Sequence, residues 1–196
     1  MDTLTRQYRA QNLALRAQTL RDLQKLWPAL DWRDLERTYP AWFAATSTLI
    51  QRDRTRSAGL ASLYLKAHRL QAGVPGDVAV RLAGAAPAEQ VATAMRVTTL
   101  VAVKRSTMAG KTAELAMRDA FVQSSGAATR LVLDAGRDTI RNTAVADPRT
   151  EGWRRVTSGG CDFCRMLAGR GAVYREDTAD FASHDHCACS AEPVYR

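Results

Sequence analysis

Every cysteine in this chain, and two of its three histidines, fall in two short clusters. Cys161-Asp162-Phe163-Cys164 is followed some twenty residues later by His184-Asp185-His186-Cys187-Ala188-Cys189. A C-x2-C pair on a tight turn puts two sulfurs on one side, close enough to bind a single ion at about 2.3 Å each. The second cluster offers more ligands than a tetrahedral shell needs. An extended segment would send Cys187 and Cys189 to one face and His184 and His186 to the other. The ligand set is then four cysteines or, where the chain turns, three cysteines and a histidine. The chemistry this predicts is a structural zinc held by Cys161, Cys164, Cys187 and Cys189, or by three of them and one of the two histidines, a choice that spacing alone does not make. Four soft ligands close the coordination sphere and leave no open position for water, which separates such a site from a catalytic one. Two disulfides between the clusters would use the same residues, and this oxidised alternative suits a chain that ends in an extracellular particle. A cysteine–histidine nucleophile explains the spacing less well, because it leaves a second sulfur without a role.

The residues around these clusters carry a family resemblance. Trp153-Arg154-Arg155, then Gly159-Gly160-Cys161-Asp162-Phe163-Cys164-Arg165-Met166-Leu167-Ala168-Gly169, then His184 to Cys189 and Pro193-Val194-Tyr195, resemble the carboxy-terminal domain of phage Mu F-like minor head proteins, above all those of actinobacterial tailed phages. The family pattern falls on Cys161, Cys164, Leu167, Gly169, His184, Cys187 and Cys189; Ala188 stands where that pattern has arginine, and His186 where it often has asparagine. The resemblance implies a non-enzymatic head morphogenesis or minor capsid protein that associates with the portal protein and capsid proteins. It implies residence in the host cytoplasm during assembly and then in the virion, in the capsid interior or at the portal vertex.

The elements that would position this site are mainly helical. In 196 residues with only 7% aromatics there is room for an extended helical region over 1–147 and a small α+β zinc-knuckle-like unit over 148–196, too poor in apolar residues to fold without a cross-link. No proline or glycine interrupts Thr3 to Trp27, and Leu13, Ala17, Leu20, Leu23 and Trp27 recur at helical spacing. A second helix capped by Asp31 is expected to break or restart at Pro40. From Ala41 to Leu70 the stripe reads Trp42, Ala45, Leu49, Leu60, Leu63, Tyr64, Ala67, with 51–56 as its solvated middle. Gly73-Val74-Pro75-Gly76 ends that helix, and Val78 to Ala83 reads as a short helix or strand. A further helix opens at Pro87 and runs to about Met108, with Val91, Met95, Thr98 and Ala102, and Leu100 and Val101, continuing its apolar faces. Lys111 to Val122 and Ala127 to Val145 follow, separated at Ser124-Ser125-Gly126, and Asp147-Pro148 marks the boundary. Beyond it, 152–156 reads as a strand, Gly159-Gly160 supplies tight backbone, and Ala172-Val173-Tyr174 is expected to pair with Pro193-Val194-Tyr195.

The net charge of +8 belongs to the helices: 1–150 carry 22 basic against 13 acidic side chains, 151–196 carry 6 against 7. Basic helices can meet packaged DNA, so a nucleic-acid-binding protein with a structural knuckle is the alternative reading, an enzyme or toxin-related fragment a second one. Neither a secretory h-region nor a membrane segment is expected, since the longest stretch without Asp, Glu, Lys or Arg, Thr38 to Gln51, is short and polar. Gly110-Lys111-Thr112 has Arg105 where a phosphate loop needs glycine, and no small-molecule substrate is expected. His68, between Lys66 and Arg69, reads as a partly exposed helix residue.

Overall fold

The computed structural model describes residues 2–157, 161–171, 174, 181 and 183–196. Asp2 caps the first helix, accepting the Thr5 N–H at 2.7 Å, and α1 (Thr3–Leu26) runs on into a single 3₁₀ turn at Trp27–Ala29, where Pro28 fits the first turn. The predicted apolar stripe holds at Leu23 and in part at Ala17, Leu20 and Trp27, but the face that is buried lies beside it. The buried residues are Thr5, Tyr8, Arg9, Asn12, Leu15, Thr19 and Leu23, while Leu13 is exposed. Polar groups enter this face because each finds a partner: Asn12 donates to the Tyr8 carbonyl, and the Thr19 hydroxyl donates to the carboxylate of Asp53 at 2.8 Å.

Helix α2 (Leu35–Gln71) passes through Pro40 without breaking, correcting the expected restart. Pro40 lies so near the amino-terminal end that its missing N–H and its ring disturb only the first turn. The stretch 51–56 is not a solvated middle either. Asp53 is fully buried beneath Thr19, Arg52 and Arg56, and Arg54 reaches the carbonyls of Leu131 and Gly84, whereas Leu63 points to solvent. Within 77–87 there is no helix or strand. The chain is instead laid along its neighbours by side chains: Arg81 N–H donates to Thr143 Oγ1, Ala83 N–H to Thr139 Oγ1, and Gln51 both donates to and accepts from Ala86.

The helix from 88 to 108 contains a wider central turn: α3 (Ala88–Arg96), a π-helical segment (Val97–Val101) and α4 (Ala102–Met108). Of the expected apolar faces, Val91, Met95, Thr98 and Ala102 are buried and Leu100 is half-buried, whereas Val101 is exposed. Helix α5 (Ala113–Ala146) is one uninterrupted element, so Ser124-Ser125-Gly126 do not divide it. Ser124 is buried against Thr99 and donates to the Thr98 carbonyl, which gives its hydroxyl a reason to be inside a helix. Helices α2 and α5 pack together, and Ala58 and Ala61 on the one and Ala128 and Ala135 on the other are buried. At Gly136, a Cβ would meet Ser57 Oγ and Tyr8 Oη at 2.8 Å, so α1 and α2 approach α5 only because this position is glycine. No helix among the described residues is long and apolar enough to cross a membrane.

After α5 the chain forms β1 (Thr150–Val156), α6 (Asp162–Gly169) and β2 (Ser190–Tyr195). The two strands pair antiparallel, with Trp153 opposite Pro193 and Val156 opposite Ser190. The expected partner of Pro193-Val194-Tyr195 was therefore misassigned. Tyr174 instead bridges Trp153 and stacks on its ring, which leaves β1 between Tyr174 and β2. Ala172, Val173, Gly159 and Gly160 lie outside the described residues. One apolar cluster runs from the helices into this region: Tyr8, Ala61, Tyr64, Leu65, Ile140 and Ala144 pack with Trp153, Cys164, Tyr174, Phe181, Cys187, Cys189 and Ala191.

Candidate metal centre

Cys161 precedes the first turn of α6 and Cys164 lies within that turn, so their side chains reach the same end of the helix. The second cluster turns at Asp185-His186, with His186 in the left-handed region at φ 64°, and this turn splits the two histidines. His184 comes back onto the first pair: its Nε2 lies 3.2 Å from Cys161 Sγ and 3.3 Å from Cys164 Sγ. His186 goes the other way, onto α5 at Gly126, where a Cβ would stand 2.6 Å from its Nε2. Cys164 also faces the second pair, its sulfur 3.9 Å from that of Cys187, and the sulfurs of Cys164, Cys187 and Cys189 all lie within 4.8 Å of one another. Thus Cys164 belongs to two triads, one with Cys161 and His184, the other with Cys187 and Cys189.

These separations fit a metal. Ligands about 2.0–2.3 Å from one tetrahedral ion sit roughly 3.3–3.8 Å from each other. All four cysteines are free thiols, and the 3.9 Å between Cys164 and Cys187 is far from the roughly 2.05 Å of a disulfide. The five predicted residues converge on one cluster that can bind a metal ion.

The protonation pattern prepares the same set. The Asp185 carbonyl lies 2.7 Å from His184 Nδ1, which fixes the proton there, raises the imidazole pKa, and leaves the Nε2 lone pair toward the sulfurs. The backbone N–H of Cys164, at the positive end of α6, draws the Cys161 thiol down, while burial pushes Cys164 up. The hydrogen bond between Cys187 and Cys189 separates that pair: Cys187 is pushed up to about 12 and Cys189 drops to about 6. Metal binding would displace the remaining thiol protons.

Sequence reasoning missed the arginines behind this centre. Arg137, on α5 and 2% exposed, donates from Nε to the Cys189 carbonyl at 3.0 Å and from a terminal nitrogen to the Cys187 carbonyl at 2.8 Å, and is itself paired with Asp134. Arg155, on β1, places one nitrogen 3.9 Å from the sulfurs of both Cys164 and Cys187, with its guanidinium 3.9 Å from the Phe181 ring centre. The signal for Arg137 was available: an arginine between Leu133, Ala135, Thr139 and Ile140 on a buried helix face needs acceptors. For Arg155 it was the outward–inward alternation of a strand whose neighbour Arg154 is exposed.

A family model described as VG15 protein matches residues 2–196. No curated protein and no solved structure matches the chain.

Proposed function

The chain belongs to the VG15 family, a viral protein family, and from that premise we propose that it is a structural minor capsid or head morphogenesis protein of a phage, associated with the portal and packaged in the head. One observation carries the reading. A match to a viral family over nearly the whole chain coincides with a Cys161/Cys164/His184/Cys187/Cys189 cluster that resembles the Mu F-like minor head pattern position by position. In this role the cluster holds a structural zinc ion. Cys161, Cys164 and His184 supply three ligands, and Cys187 or Cys189 supplies the fourth. The ion would add charge-neutralising bonds among sulfurs that otherwise crowd together. The protein's own part is done by Arg137, which fixes the backbone of the second cysteine pair, and by Arg155, which faces its thiolates. No chemical step is assigned to the chain.

The placement of the arginines favours this reading over nucleic-acid binding. Arg9, Arg54, Arg69, Arg137 and Arg155 are buried, and Arg52, Arg130 and Arg154 are paired with carboxylates, so much of the formal positive charge serves the interior of the protein. A phosphate-binding face would leave such groups free to release counterions.

The test is location. Purified particles should contain this protein, and lysine- or carboxylate-directed cross-linking followed by mass spectrometry should join it to the portal or an inner capsid protein. Absence from the finished particle, together with no cross-link to head proteins during assembly, would overturn the proposal.

A further inference from the structure

Three ionisable side chains from distant parts of the chain meet at the seam between the helices and the strands, away from the cysteines. They are Asp2 at the cap of α1, His68 in the last turn of α2, and Glu192 on β2. One ligand atom from each lies within 4.8 Å of the others; His68 Nε2 is 3.5 Å from Asp2 Oδ2 and 3.7 Å from Glu192 Oε1. Hydrogen bonds from a ring nitrogen to a carboxylate run at about 2.7–3.2 Å. Nitrogen and oxygen ligands at 2.0–2.2 Å from a shared tetrahedral ion stand about 3.3–3.6 Å apart. The observed distances match the second spacing better than the first.

A second observation points the same way. Glu192 is 3% exposed and sits on a short strand among buried neighbours; Arg154 takes its Oε1, and its Oε2 has no hydrogen-bond partner. A buried carboxylate oxygen without a donor is costly unless a cation serves it. The other two groups are held ready. The His68 ring is flanked by Tyr64 and Tyr195, with centroids at 5.2 and 5.7 Å, and its side chain keeps only 11% exposure. Asp2 gives Oδ1 to the Thr5 N–H and turns Oδ2 toward the imidazole.

We propose that Asp2, His68 and Glu192 form a second metal site, for a divalent transition-metal ion of the zinc class, distinct from the thiol centre. One imidazole nitrogen and two carboxylates are a hard-to-borderline donor set, and three protein ligands leave a fourth position for water. Arg154 beside Glu192 lowers the net negative charge that an ion would meet, so the site binds more weakly than the thiolates. Bound metal would join the start of α1, the end of α2 and the last strand.

The two donor sets absorb differently when they bind cobalt, which makes the sites countable. The experiment titrates reduced, metal-free full-length protein with Co²⁺ alone. The expected result is about two equivalents bound, the first with intense thiolate-to-cobalt absorption and the second with weak ligand-field bands only. Asp2→Asn, which keeps a capping oxygen, and Glu192→Gln should each lower the total to about one while the thiolate absorption is unchanged. If Glu192→Gln fails to fold, Asp2→Asn at its more open position decides alone. A wild-type chain that takes up only the thiolate-bound equivalent, or an Asp2→Asn chain that keeps both, would overturn the proposal.

Discussion

Where α2 packs on α5, the buried guanidinium of Arg54 donates to the carbonyls of Leu131 and Gly84; where the chain beyond α5 packs back on it, Arg137 donates to those of Cys187 and Cys189. The device is the same and the dependence is different. Leu131 sits in a 34-residue helix whose geometry is secured by its own hydrogen bonds and by packing against α2. Residues 187–189 belong to no helix or strand, so their backbone is held from outside, by Arg137 on one side and by the sulfurs on the other. A helical body can lose one polar contact and keep its shape. A short segment defined by a few specific bonds is lost with any of them.

The largest expected effect comes from breaking the thiol centre. Cys164→Ser removes the sulfur common to both triads and, with it, metal-coupled folding free energy on the order of 10 kcal/mol. Limited proteolysis should then digest the chain beyond about Asp147, in the variant and in chelated wild type, while far-ultraviolet circular dichroism stays mainly helical. Because Tyr8, Tyr64, Leu65 and Ile140 lose their cover, the remaining helical fragment should also melt earlier and bind a hydrophobic dye. Full protease protection after chelation would mean that α5 and the arginines hold the unit without metal.

Arg137→Met should come next, at roughly 2–4 kcal/mol, since it leaves the Cys187 and Cys189 carbonyls without their donor, while Asp134 keeps Ser183 and Arg130. Thermal melts read the loss. An equal loss from Arg54→Met would erase the contrast between the two seams.

Gly126→Ala asks how tightly the His186 turn is seated. The new methyl would lie within 3.0 Å of the His186 ring and the Asp185 Cβ, and a cost of about 1–3 kcal/mol is expected, reduced when combined with His186→Ala. A double-mutant cycle with no coupling would show that the turn simply moves aside.

The smallest effect belongs to the helical surface. Arg52 and Gln18 hold Asp22 down to about 2, below its unfolded value, so its contribution is present at neutral pH and is lost as pH falls from about 4 toward 2. Asp22→Asn should flatten that acid limb by no more than about 1 kcal/mol, because the pair is near solvent. Acid denaturation curves of the two proteins measure it.

How much of this was legible in the sequence follows from which groups carried a local signal. Helix α1, the buried positions 91, 95, 98 and 102 and the first strand were readable from spacing, and the gathering of Cys161, Cys164, His184, Cys187 and Cys189 from spacing joined to the family resemblance. Asp53 and Arg54 were not, since a charged residue at a helical position reads as solvated until its partners, Thr19 for the one and the Gly84 and Leu131 carbonyls for the other, are brought to it by the fold. Ser124-Ser125-Gly126 read as a break for a related reason. Gly126 is required by the close approach of His186, and nothing within the helix itself announces that visitor. The π-helical turn at Val97–Val101 left no signature either, since one extra residue per turn barely disturbs an apolar pattern over five positions.

The apolar cluster that joins Tyr8 to Cys187, Cys189 and Ala191 also sets a timetable for synthesis. Helices α1, α2 and α5 can begin to associate as soon as residue 146 has left the ribosome, but the pocket around Tyr8 and Tyr64 stays unfilled until the final strand emerges. The slowest contacts to form are those between the first dozen residues and the last ten, which have the greatest sequence separation the chain allows. Every nascent molecule therefore passes through an interval in which its helical portion is assembled and its sticky flank is open, a window in which chaperones or neighbouring chains have access to it.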